Sequence, residues 1–277
     1  MKLAAGYIVF DGLETLESSI KSIRNSVDLI IVSYQTVSWG GTKASPDLIP
    51  TLESLKKRGL IDNLIEFTMF RPTSLKSAGE VMNAKKFELN KRQGCLTLAL
   101  KNNCTHYMSM DADEFYRESE LINAKLYIEE NKLDATAVHY INYVTPTLHR
   151  GYSRWRVPFI YRITEQTRHH VMQTHFAGID PTRGLIDDSY RKSITFDKSV
   201  ITMHHMEMVR SNIVEKYIAS SRFFPNRDLL PIIADDISRA KETGILTFTT
   251  VHLGDTPNPK EEQLLISCDN EFNIKVS

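Results

Sequence analysis

Four short apolar runs, at residues 3–10, 27–32, 64–69 and 106–110, constrain this chain more than any other feature, because segments of helical period separate them. Leu13, Leu16, Ile20 and Ile23 recur at helical spacing behind the first run. Ser45 and Pro46 form a cap and first-turn proline that open a second helix, and Gly59 stops it. Ser77 followed by Glu80 is a capping box that opens a long helix towards Asn103, with an interruption expected at Gly94. Strands alternating with helices imply a mostly parallel central sheet flanked by helices. Continuous apolar runs such as residues 27–32 fit strands covered on both faces. Further on, the pattern predicts a helix at 119–131, strands at 136–144, 155–163 and 199–204, and helices at 212–224 and 228–243. A β-leaning tail begins at Leu246.

At 277 residues the chain holds one large α/β domain plus a small appendage. The expected division is residues 1–210 as the domain, with 1–120 on the ligand side and 121–210 on the side of a second substrate. Residues 211–277 are expected to form a C-terminal helical extension and tail. No apolar run reaches the roughly 18–20 residues of a membrane span. Three widely spaced cysteines, Cys95, Cys104 and Cys268, argue against a disulfide framework or a zinc site, so a cytoplasmic setting is expected. Basic and acidic residues both number 34, which gives no support to a nucleic-acid binder that relies on basic excess.

The chemistry concentrates where the fourth run, His106 to Met110, passes directly into Asp111-Ala112-Asp113-Glu114. Ligands of parallel α/β sheets bind at the carboxyl ends of strands. On an extended strand, residues two apart point to one side about 6–7 Å apart, so the two aspartates could share one Mg²⁺ or Mn²⁺. A carboxylate facing such a cleft would matter to the ligand and little to the core. Glu114 is a third acidic partner or a support. His204 and His205 are adjacent, so one of them faces a site and the other the core. Lys91 and Arg92 lie in the long helix before the acidic strand. Residues 150–156, RGYSRWR, interleave aromatics and arginines as sugar- or base-stacking surfaces do. No Walker-type phosphate loop and no G-x-S-x-G elbow is present, which weighs against NTPases and α/β-hydrolases.

In this order, from the strand–helix–strand start through Lys91-Arg92-Gln93-Gly94 to the acidic strand end, the chain resembles GT-A glycosyltransferases, particularly family-2-like members that include bacteriophage and large-virus enzymes. Residues 203–210, MHHMEMVR, look like the downstream histidine motif of that group. The resemblance implies the GT-A nucleotide-diphospho-sugar transferase fold, with Mn²⁺ or Mg²⁺ and a nucleotide-sugar donor, a UDP-sugar first. It places the metal on Asp111, Asp113 and His205. The nucleotide falls to Phe10, Asp11, Arg92, Asp111 and one of His204 and His205. The acceptor is a hydroxyl, preferably of a glycan, with a modified DNA base as the other choice. For an inverting transfer the catalytic base is expected at Asp180, which precedes Pro181 and has Arg183 close by. A nucleotidyl- or phosphoryl-transfer enzyme and a catalytically silent carbohydrate-binding protein are the competing readings.

Overall fold

The computed structural model describes residues 1–39, 41–68, 78–170, 182–211, 213, 216, 230–247 and 262–275, with the backbone alone for 78–82, 230, 247, 262 and 263. The first half follows the alternation of the sequence. Strand β1 (Leu3–Val9) is followed by α1 (Leu13–Ile23), β2 (Leu29–Tyr34), α2 (Leu48–Lys57), β3 (Asn63–Glu66), α3 (Ala78–Lys101) and β4 (His106–Asp111). β1 pairs in parallel with β2 on one side and β4 on the other, and β2 pairs in parallel with β3. Because β1 is covered on both faces, its sequence LAAGYIV is almost wholly buried. On one face Leu16, Ile20 and Ile23 of α1 pack against Tyr7, Val9, Ile30 and Val32. On the other, Cys95, Leu96 and Ala99 of α3 pack against Ala4, Ile31 and Tyr107. Gly6 is required there: a Cβ would fall 2.0 Å from the Tyr107 hydroxyl and 2.8 Å from the Cys95 Cβ. The expected break at Gly94 is absent. α3 runs through it for 24 residues, since the buried positions just beyond it anchor the helix and a lone glycine costs only about 1 kcal/mol.

The second half departs from the expected mostly parallel sheet. After β5 (Glu114–Phe115) and α4 (Glu118–Asn131) come β6 (Ala135–Thr145) and the 15-residue β7 (Leu148–Arg162). Only Pro146 and Thr147 separate these two strands. A parallel crossover needs a dozen or more residues, so β6 and β7 must pair as an antiparallel hairpin. β7 also lies antiparallel to β4. Short strands β8 (Arg168–His169) and β9 (Leu185–Ile186) pair with each other. β10 (Ser193–Thr195) and β11 (Thr202–His205) both join β6 in parallel, and β11 pairs antiparallel with β5. The main sheet is therefore mixed, in the order β3-β2-β1-β4-β7-β6-β11-β5.

The C-terminal region is not simply helical. α5 (Leu230–Thr243) is followed by β12 (Ile245–Thr247), β13 (Glu262–Leu264) and β14 (Ile266–Ser267). β14 pairs with β7 on the main sheet. Phe272 then packs 5.0 Å from Phe115, and Glu271 accepts a 2.7 Å bond from Arg117 Nε. The helix expected at 212–224 lies almost wholly outside the described residues. Among the described residues, no helix is long and apolar enough to cross a membrane.

Candidate functional site

The carboxyl ends of β1, β2, β4 and β11 lie on one edge of the sheet, and Asp11, Asp111, Asp113, Glu114, Arg183 and Arg210 form ion pairs there. Asp111 closes β4, but Asp113 does not continue the strand: residues 112 and 113 form a turn into β5. The period-two expectation that both aspartates share one side therefore fails at Asp113. Asp111 accepts from Arg92 Nη2 at 3.2 Å and from Arg183 by a shorter contact. Asp113 is 1% exposed and turns to a different set of partners. Its Oδ2 accepts from Arg210 Nη2 and from Lys216 Nζ, both at 2.7 Å, while Oδ1 stands 3.8 Å from His205 Nε2. Burial alone would raise the Asp113 pKa; Arg210 and Lys216 outweigh it and hold the carboxyl well below its usual range.

Arg210 ties the two strand ends together, because its Nη1 also donates to Asp11 Oδ1 at 2.6 Å. Its guanidinium lies over Gly12, where a Cβ would come within 2.7 Å of Nη2, and Gly12 has φ +75. Phe10 is half-buried at the same strand end. Lys91 is buried and donates to Val9 O at 2.8 Å; desolvation lowers its pKa to about 7. Arg92 is likewise buried, and it reaches the edge by holding Asp111 while also bonding Ser109 and Glu88. Glu114 accepts from the Asp111 backbone N–H at 3.0 Å and pairs with Arg183. Burial pushes its pKa up to about 7 against the pull of that arginine.

The two histidines separate as strand neighbours must. His205 faces Asp113 and Tyr140, and its Nδ1 lies 2.9 Å from Asn142 Oδ1. Since that oxygen can only accept, Nδ1 carries the proton and Nε2 presents a lone pair towards Asp113. Burial lowers the His205 pKa. His204 faces the opposite way. It bonds the Tyr143 hydroxyl through Nδ1 at 2.8 Å and packs 5.0 Å from Phe272, so it belongs to the packing beneath the C-terminal tail.

The donor set can be judged against the expected cation. Among the described residues no three His, Cys, Asp or Glu side chains converge on a metal position. Mg²⁺ and its relatives, however, are commonly held by one or two carboxylates together with substrate phosphates, not by an all-protein cage. A carboxylate oxygen and an imidazole lone pair facing each other beyond hydrogen-bond range, with the imidazole oriented by Asn142, fit that kind of two-donor site. Both oxygens of Asp111 are taken by arginines, whereas Arg210 and Lys216 converge on Oδ2 of Asp113 and leave Oδ1 to face His205.

Sequence reasoning missed Lys216 and Asn142. Arg183, named there only as a neighbour of Asp180, pairs with Asp111 and Glu114. Arg210 was visible only as the last letter of the histidine motif. Asp180 and Pro181 lie outside the described residues. Gln35, at the end of β2, is 2% exposed, and its Oε1 has no hydrogen-bond partner among the described residues.

No protein-family model matches the chain, and no curated protein matches it. Solved structures that resemble it include S. aureus TarS, at TM-score 0.44 and 9% identity over 88% of this chain and 45% of that one. The TarS 1–349 structure gives 0.45 and 10%, covering 88% and 74%. The same TarS fragment in complex with UDP gives 0.37 and 11%, covering 52% of this chain and 36% of that one. Likenesses with TM-scores this low settle neither fold nor activity, and the viral side of the resemblance finds no support in them.

Proposed function

We propose that the chain is a GT-A-type glycosyltransferase that moves a sugar from a nucleoside-diphosphate donor to a glycan hydroxyl. The observation that carries this reading is the pairing of Asp113 Oδ1 with the lone pair of His205 Nε2 at the carboxyl edge of the sheet. These two atoms would hold Mn²⁺ or Mg²⁺, which supplies positive charge against the departing diphosphate. The residues around them supply the rest. Arg210 and Lys216, already directed at Asp113, are placed to pair with diphosphate oxygens. Phe10 and Asp11 flank the nucleoside, and Gln35 Oε1, without a partner among the described residues, offers an acceptor to a base N–H. Arg92 positions Asp111 beneath the nucleotide. Asp180 takes the proton of the acceptor hydroxyl as its oxygen bonds to the anomeric carbon and the sugar–phosphate bond breaks.

The test is thermal shift and calorimetry with UDP and UDP-GlcNAc, then GDP- and TDP-sugars, each with and without Mn²⁺. Stabilisation that needs nucleotide and metal together, and that Asp113→Asn and His205→Ala both abolish, supports the reading; at a ligand concentration of 100 Kd it amounts to about 2.7 kcal/mol. Stabilisation by free glycan alone would instead mark a binding protein without transferase activity.

A further inference from the structure

Away from the Asp113 cluster, one exposed part of the main sheet sets cations beside aromatic rings. Along β7, Tyr152, Arg154 and Arg156 are exposed while Ser153 and Val157 are buried. The register sets Arg156 opposite His139 of β6. Lys198 Nζ lies 4.6 Å from the centre of the Tyr152 ring, and the Arg154 guanidinium 5.1 Å from that of Trp155. Several arginines elsewhere sit in carboxylate pairs: Arg24 with Asp62, Arg58 with Glu17, Arg117 with Glu271, Arg162 with Asp134. Among the described residues Arg156 and Lys198 have no such pair. The neighbouring Asp197 is turned to Ser199, accepting from its backbone N–H at 2.9 Å and its hydroxyl at 2.6 Å. His139 senses both cations: burial first, then Lys198 and Arg156, lower its pKa. Its buried Nδ1 has no hydrogen-bond partner among the described residues. In a chain whose basic and acidic residues balance at 34 each, this is a local cationic excess mixed with aromatic rings.

We propose that this face binds an anionic glycan chain. An exposed tyrosine ring such as Tyr152 stacks on the C–H faces of sugars while exposed guanidinium and ammonium groups pair with phosphates or carboxylates along the polymer. Nucleic acid fits less well. Binders that neutralise many phosphates carry an overall basic excess, which this chain lacks. Under the proposed transferase activity such a chain is the acceptor. The binding is measured with neither donor nor metal, so its failure and the failure of the transferase reading are distinguishable.

The experiment is biolayer interferometry of the whole protein over alginate and phosphomannan, with dextran, mannan and oligo(dT) as the comparison surfaces. The expected result is binding to an anionic glycan and to neither neutral one, weakening several-fold as NaCl rises from about 50 to about 300 mM. Arg156→Gln with Lys198→Gln should weaken it about 10-fold or more with the melting temperature unchanged, since both side chains are exposed. Tyr152→Ala should weaken it while leaving the salt dependence in place. No binding to alginate or phosphomannan overturns the proposal, as does wild-type affinity in the double variant. Tighter binding to oligo(dT) than to either glycan also overturns it and assigns the face to nucleic acid.

Discussion

Replacing Asp113 by asparagine keeps the volume of the side chain and removes its charge. Its Oδ2 is the shared acceptor of Arg210 and Lys216, each at 2.7 Å, and the side chain is 1% exposed. Taking away one partner of a buried ion pair leaves an uncompensated buried charge and costs roughly 3–5 kcal/mol. Two features place this case at the lower end. Arg210 keeps Asp11 at 2.6 Å, and Lys216, 19% exposed, keeps Glu207 at 3.6 Å. The expected loss is therefore about 3 kcal/mol, which for a chain of this size lowers the melting temperature by about 6–12 °C. Asp111→Asn should cost only about 1 kcal/mol. Its side chain is 30% exposed, and its arginines retain Glu88 and Glu114. Thermal and urea melts at neutral pH, run without ligand, compare the two variants. If Asp113→Asn melts within about 2 °C of wild type, or above Asp111→Asn, the buried network does not stabilise the strand ends as described. The sequence pattern alone led to the opposite expectation, a cleft carboxylate of little consequence for the fold.

Three further outcomes are expected. Asp180→Asn should lower kcat by roughly 10²–10⁴-fold with donor binding intact; a product that keeps the anomeric configuration of the donor would remove the need for this base. His204 is buried with its pKa lowered to about 4, chiefly by desolvation. The unfolded chain therefore binds its proton first, and stability fully present above pH 6.5 should fall by about 3 kcal/mol as pH drops towards 4. His204→Phe should flatten that part of the pH–stability curve measured by urea melts. Gly12→Ala places a Cβ against the Arg210 guanidinium at positive φ, so it should lower both the melting temperature and nucleotide affinity, whereas Gly59→Ala, with open space around it, should lower stability alone by about 1 kcal/mol or slightly more.

What could be read from the sequence was whatever depends on local period. β1, α1, β2, α2 and β4 follow from apolar spacing because each buries a face regular enough to leave that trace. The acidic strand end was legible for the same reason: MSM running into Asp111 can only be a buried strand surfacing at an edge. The hairpin of β6 and β7 left a weaker trace: the expected strands, 136–144 and 155–163, stop short of the turn because the first half of β7, LHRGYSR, is polar and partly exposed and carries no apolar run. The partners of the aspartates are a different matter. Arg183, Arg210 and Lys216 lie 72, 97 and 103 positions away from the carboxylates they hold, and no spacing rule links residues that far apart.

The turn at residues 112–113 shows how much depends on such distant contacts. Had the strand continued, Asp111 and Asp113 would have faced one cleft and shared one ion. The turn sends Asp113 towards β11 and the C-terminal segment instead, where the Met206 backbone N–H donates to Asp113 O at 2.7 Å and fixes the loop. The same turn brings His205, the neighbour of Met206, within 3.8 Å of the carboxylate. One backbone hydrogen bond thus joins the strand end to the histidine motif. A substitution that disturbs the β11–β5 pairing, where His205 opposes Glu114 and His204 opposes Phe115, should separate the two donors without touching either. Phe115→Ala is that perturbation. Truncating a fully buried phenylalanine costs about 3–5 kcal/mol, and metal-dependent nucleotide binding should weaken along with stability. If the variant stays folded at low temperature and binds nucleotide and Mn²⁺ with wild-type affinity, the alignment of Asp113 with His205 does not depend on that pairing.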